Sequence, residues 1–196
     1  MTWSEGDAYD VSFGLNKCRR YHAMLRDHYR SAHDTASTLT AFGASAAFFL
    51  ILGKFDCAAA VFSAIVGLAA LLDLILQWDA KARTHAELCR KFTELCAQIE
   101  ELSPTPDNIA KLRAARVRVE VDEPSVKRLA DLLAHNDEAR SRDCSEDQLI
   151  PLSTAQRLLG CWITFGLSGI DKRMARREKL KLREASDLAT AEAKEF

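Results

Sequence analysis

Two apolar runs separated by three residues dominate this 196-residue chain and leave little freedom in how it folds. The first, Thr35 to Gly53, holds nineteen residues without a charge. The second, Cys57 to Leu72, holds sixteen, followed by Asp73 and then Leu74-Ile75-Leu76-Gln77-Trp78. At 1.5 Å per residue the first run is about 28 Å long, close to the roughly 30 Å hydrocarbon core of a bilayer. With only Lys54-Phe55-Asp56 between them, the runs form an antiparallel helical hairpin.

Two settings suit such a hairpin, a bilayer and the core of a soluble helical bundle. Frequent alanines (Ala41, Ala44, Ala46, Ala58, Ala59) and the hydroxyls of Thr35, Ser37, Thr38 and Thr40 fit the core. So does Asp73, because a carboxylate at mid-bilayer costs about 2.5–3.5 kcal/mol on insertion scales. Asp73 lies five residues before Trp78, however, where an interfacial belt would let it reach water. Flanking charge favours the membrane. Lys17, Arg19, Arg20, Arg26 and Arg30 precede the first run and Lys81, Arg83, Arg90 and Lys91 follow the second, whereas the loop holds only Lys54. That asymmetry places both termini in the cytoplasm and the loop outside.

A net charge of −1 gives the chain no general affinity for polyanions, and no nucleic-acid partner is expected. The first ten residues lack the basic and apolar segments of a secretory signal peptide. Six cysteines show no framework spacing and no C-x-x-C pair, so free thiols in a reducing compartment are expected. Cys57, at the outer end of the second run, is the exception that an intersubunit disulfide would use.

After Trp78, the residues Ala82, His85, Cys89, Phe92, Cys96 and Ile99 recur at alternating steps of three and four, a heptad seam that continues the second run. Leading into the first run, Cys18, Tyr21, Leu25, His28, Ala32 and, within it, Leu39 keep similar spacing. Pro104 and Pro106 stop the second long helix, and Pro106 suits the first turn of the next. Val117–Val121 alternates apolar and charged, which would suit a short strand, but helix is the reading kept. Glu123-Pro124 reads as the start of another helix, ending near His135 and Asn136, with 137–147 a loop. From Ser153 onward, Leu158 to Ile170 reads as one apolar helix, too short to span, continuing into Lys172, Arg173, Arg176, Arg177, Lys179, Lys181 and Arg183. It either packs on the stem or docks at an anionic leaflet. The expected fold is all-α, a two-helix transmembrane hairpin extended into a cytosolic helical stem. Its parts are an N-terminal helix over 1–34, the hairpin over 35–78 (35–53 and 57–78), a cytosolic helical domain over 79–183 and a disordered tail over 184–196.

No catalytic constellation is present: no His-Glu-x-x-His, no Gly-x-Ser-x-Gly and no phosphate-cradling glycine loop. Neither an enzyme nor a cofactor is expected. His28 lies seven residues before Thr35 and His85 seven after Trp78, so the two would sit at similar depth, with Cys89 one turn beyond His85. A zinc site from His28, His85 and Cys89 is geometrically conceivable, but small seam residues are the simpler account and no metal is expected. Protonation would separate such a histidine pair. Within the hairpin, Ala59, Ser63 and Gly67 stand four apart, a spacing that lets helices approach closely in lipid, either a second copy or the first run through Gly43 and Ala47. Thr38, Ser45, Ser63 and Asp73 are the polar candidates for a pore lining. Asp73 either faces a conducting path or sits at the interface.

This layout resembles the SLATT group of bacterial two-transmembrane proteins, the effectors that associate with SMODS and SLOG partners. The likeness rests on Arg19-Arg20-Tyr21 through Tyr29-Arg30, the close-set hairpin, His85–Ile99, and Glu123-Pro124 followed by His135-Asn136. It implies an inner-membrane effector in anti-phage conflict systems that permeabilises the membrane as a homo-oligomer. It also implies a nucleotide-generating or nucleotide-sensing partner, or its cyclic nucleotide product, as the signal. Asp73, Ala59, Ser63, Gly67 and Gly43 would then act in the bilayer. His135, Asn136, Lys172, Arg173, Arg176 and Arg177 would meet the signal. A non-conducting anchor and a soluble interaction domain are the alternatives.

Overall fold

A computed structural model describes residues 5–53, 56–103, 105–176 and 178–179, and every regular element among them is helical. Of the segments named above, residues 1–4 of the expected N-terminal helix, Lys54-Phe55, Pro104, Arg177, Lys181, Arg183, the tail over 184–196 and the side chain of Ala47 lie outside the described residues. The chain divides into two units, 1–123 and 124–196.

In the first unit α1 runs unbroken from Glu5 to Leu52, 48 residues and about 72 Å. Two helices return along it, α2 over Asp56–Leu76 and α3 over Trp78–Glu101, and α4 over Pro106–Glu120 packs on α1 and α3. Both α1 and α2 carry a stretch long and apolar enough to cross a membrane. The seam expected on α3 is buried at Ala82, His85, Cys89, Phe92 and Cys96. On α1 the buried line is Leu15, His22, Leu25, Tyr29, Ala32 and Ala36, with Tyr21 also covered. It therefore passes through His22 and Tyr29, whereas His28, placed in the seam by spacing alone, sits at its flank. At the lower end Val11, Leu15, Phe92, Leu95, Cys96, Ile109 and Leu112 form the core beneath α4. Thr105 caps α4 by accepting the Asn108 N–H at 3.3 Å, with Pro106 in the first turn. Val117–Val121 is helical through Glu120.

One interruption was not expected. Gln77 adopts a left-handed conformation (φ 50°, ψ 48°) between α2 and α3, so the return arm is two helices. A non-glycine residue held there costs about 1–3 kcal/mol, and the surrounding turns hold it. Its N–H donates to the Asp73 carbonyl at 2.9 Å and its own carbonyl accepts from Lys81 at 3.1 Å.

The second unit departs further from expectation. Residues after Pro124 belong to no regular element until α5, which covers Arg128–Ser141 and so runs past His135-Asn136. Asn136 does not end that helix. It is buried, and its amide exchanges two 2.8 Å hydrogen bonds with the Ile150 backbone, fastening an otherwise unpaired segment. The single apolar helix read after Ser153 is two pieces, α6 over Thr154–Leu159 and a helical stretch over 167–176. Gly160, pressed against Leu133 and Leu129, and Gly166, at φ +65°, make the bends. The chain folds back because Ile170 joins Leu129 and Leu152 in the core, with Phe165 and Leu167 against them. Gln156 sets the bend. Its carboxamide NH2 donates to the carbonyls of Phe165 (3.4 Å) and Gly166 (3.2 Å), and its oxygen accepts from Arg173 at 2.9 Å.

Candidate functional site: two histidine links between the arms

Where α1 and the return arm face each other, two polar links interrupt an otherwise apolar seam. The lower link joins His22 to His85 through their Nδ1 atoms at 2.9 Å, and His22 Nε2 lies 3.1 Å from Glu123 Oε1. Both imidazoles are buried, at 0 % and 4 % exposure. Aromatic rings enclose them: Phe92 stacks on His22 at 5.4 Å, Tyr29 on His85 at 5.6 Å, and Tyr21 meets both edge-on.

Proton bookkeeping limits what this link tolerates. A carboxylate only accepts, so His22 Nε2–H donates to Glu123. One proton then lies between the two Nδ1 atoms, donated by whichever ring carries it. With His22 neutral, His85 is the donor; with His22 an imidazolium balanced by Glu123, His22 donates and His85 stays neutral. A second proton on the Nδ1 pair would set two N–H groups and two positive rings against each other in a dry core. The link is thus compatible with one added charge and incompatible with two.

The upper link joins His33 to Asp73, with Nδ1 2.9 and 3.1 Å from the two carboxylate oxygens. It is half-buried and stands beside the Gln77 break. The hydrogen bond to Asp73 raises the His33 proton affinity above the ordinary imidazole value. Asp73 therefore turns toward α1 and has a partner. Thr38, Ser45 and Ser63, by contrast, are exposed on the outer surface of the hairpin. The four polar candidates do not share a face, so an assembly of hairpins would present those three hydroxyl residues and not Asp73.

The small residues also divide. Ala59 is buried, as is Gly43, where an added Cβ would overlap the Val66 side chain. Ser63 and Gly67 point outward, and a Cβ at Gly67 would meet nothing within 4 Å. Gly43 therefore serves packing inside the hairpin, and Ser63 and Gly67 do not. Among the described residues no group of three His, Cys, Asp or Glu is placed to hold a metal, so His28, His85 and Cys89 do not assemble into one. Burial pushes the neighbouring Cys18 thiol up to about 11, against the opposing pull of Arg116 and Lys17. In the second unit His135 is half-buried, Asn136 is occupied by Ile150, and Lys172, Arg173 and Arg176 are exposed.

Sequence reasoning missed His22 and His33 because it measured depth from the edges of the apolar runs. The pairs His22–His85, His33–Asp73 and Gly43–Val66 are all centred on positions 53–55, between the end of α1 and the start of α2. Counting from the loop would have found both partners. Comparison with known protein families, with curated proteins and with solved structures finds no match to this chain.

Proposed function

We propose that the hairpin of α1 and α2 spans a bacterial inner membrane, with the loop outside and both termini in the cytoplasm. The outer surface of the arms carries the argument. Phe42, Phe49 and Leu74 are each at least 70 % exposed, and only 12 % and 11 % of the two apolar stretches is buried. Water would not tolerate so continuous an apolar surface, whereas lipid chains would cover it. The excess of cationic residues at the open end of the hairpin supports the orientation.

On this reading the protein is a signal-responsive effector that oligomerises through its arms and permeabilises the membrane. The resemblance to SLATT proteins supports the role and favours a nucleotide-linked signal delivered to the cytosolic helices. The outward Thr38, Ser45 and Ser63 supply polar groups for a conducting assembly, and the His22–His85 and His33–Asp73 links hold the arms in register beforehand. Induced expression with a potential-sensitive dye tests this. Depolarisation in cells that carry the activating system is expected, and unchanged polarisation there would refute conduction.

A second reading, a non-conducting anchor, draws on the His33–Asp73 pair, which uses up the only intramembrane carboxylate in a contact within the chain. For an anchor, Asp73→Asn alters hairpin stability and nothing else. For a channel gated by release of this pair, it raises basal leak.

A further inference from the structure

The second unit carries an apolar surface that its own fold leaves uncovered. Leu129, Leu152 and Ile170 fill its core. Leu158, Leu159, Trp162 and Ile163, on the last turn of α6 and the bend after it, remain outside at 73, 43, 49 and 58 % exposure. The hydrogen bonds from the Trp162 and Ile163 N–H groups to the Leu159 carbonyl gather these four into one knuckle. Arg173 bonds to Gln156 of α6, which ties the cationic stretch over 167–176 to the same short helix that carries Leu158 and Leu159. Lys172 and Arg176 on that stretch, and Arg157 on α6, are exposed, against the acidic Asp171.

We infer that this knuckle docks on an anionic lipid surface. Large apolar side chains and an indole at the tip, bordered by cations, match the depth profile of a bilayer interface. Each cation near an anionic leaflet adds attraction that falls off within a Debye length. A protein groove would need no such excess of positive charge around the apolar tip. The inference rests on the membrane reading above in one respect. The spanning hairpin would keep the second unit at high local concentration near the leaflet, so individually weak contacts would hold. Trp162 and Ile163 would enter the boundary between headgroups and acyl chains while Lys172 and Arg176 face phosphates. The separate pieces on either side of Gly160 are what expose the tip; one straight helix would have turned Ile170 away from the core.

The test uses the full-length chain with Trp162 as its sole tryptophan (Trp3→Phe, Trp78→Phe), reconstituted into phosphatidylcholine vesicles with and without phosphatidylglycerol. Lipids brominated on their acyl chains quench an indole that enters the bilayer. Strong quenching of Trp162 in anionic vesicles is expected, reduced about twofold or more without phosphatidylglycerol or by Lys172→Glu with Arg176→Glu. Absence of quenching overturns the inference. That holds whether acrylamide reaches Trp162 from water or is blocked by a second copy or another protein. A companion chain with only Trp78 reports on the hairpin. Quenched Trp78 with unquenched Trp162 sinks the docking alone, and the opposite pattern sinks the spanning hairpin alone.

Discussion

The lower and upper halves of α1 belong to one helix and face one return arm, yet they bury very different amounts. Between residues 11 and 36, Val11, Leu15, Tyr21, His22, Leu25, Tyr29, Ala32 and Ala36 are all buried. Between 37 and 52, Gly43 alone is buried among the described side chains. The lower half has α4 as a third helix, so its apolar side chains have somewhere to go. The upper half has only α2, and two helices cannot cover their own outer faces. The lower half meets that constraint with an exterior that includes Arg26, Arg30 and Asp27, the upper half with Phe42, Phe48, Phe49 and Ile51. The same pairing thus carries two exteriors, one charged and one apolar, and the proposed membrane reading assigns lipid to the apolar one.

Truncating one phenylalanine in each half sharpens this contrast most. Phe92 is fully buried beneath α4, and Phe92→Ala should cost about 3–5 kcal/mol in denaturation of the detergent-solubilised protein. Phe49 is exposed, and Phe49→Ala should stay within about 0.5 kcal/mol in the same assay. Equal losses at the two sites would mean that the arm is covered by protein.

The lower link should show the next largest effect. His85→Ala strands His22 in a dry core and should cost about 1–3 kcal/mol. Replacing both rings, with His22→Leu and His85→Leu, should cost less than the two single changes added together, because no unpaired polar atom remains between them. Strict additivity would show that the Nδ1 atoms do not share a proton.

The upper link carries a proton dependence whose sign follows from its geometry. The folded-state affinity of His33 is raised by its hydrogen bond to Asp73. That contribution is fully present below the ordinary value of 6.5 and is lost as pH rises through the higher folded value. Thermal midpoints measured from pH 5 to 9 should therefore show a decline toward alkaline pH that Asp73→Asn removes. Retention of that decline in the variant would place the alkaline response elsewhere.

Thiol labelling is the smallest effect. Cys57 is exposed, whereas Cys89 and Cys96 are buried and the Cys18 thiol is held up at about 11. At pH 8, maleimide should modify Cys57 quickly and Cys18, Cys89 and Cys96 slowly, as read by mass of the intact protein. In right-side-out spheroplasts an impermeant reagent should still reach Cys57.

Much of this fold was legible because its signals were local and repeated. The hairpin followed from two charge-free runs and a three-residue connection, and the α3 seam from Ala82 to Cys96 followed from alternating steps. The start of α4 followed from Pro106, while the Thr105 cap was not read. What escaped depends on partners remote in sequence. His22 and His28 are both compatible with a three-four pattern, and only the register fixed by the turn selects His22. Gln77 carries no left-handed signal, since glycine or asparagine would be the usual occupant. The bends at Gly160 and Gly166 were hidden because an uninterrupted apolar stretch looks alike whether it faces one partner or folds back on itself. Asn136 looked like a helix end because asparagine favours such places, but its amide was needed by Ile150.

The claim that lipid covers the upper half of α1 and α2 is tested most directly by alkaline carbonate extraction of membranes from cells expressing the chain. Retention in the pellet, with release only by detergent, is the predicted result. Release into the supernatant as a monodisperse species would contradict it, because an arm exposing Phe42, Phe49 and Leu74 would then be living in water.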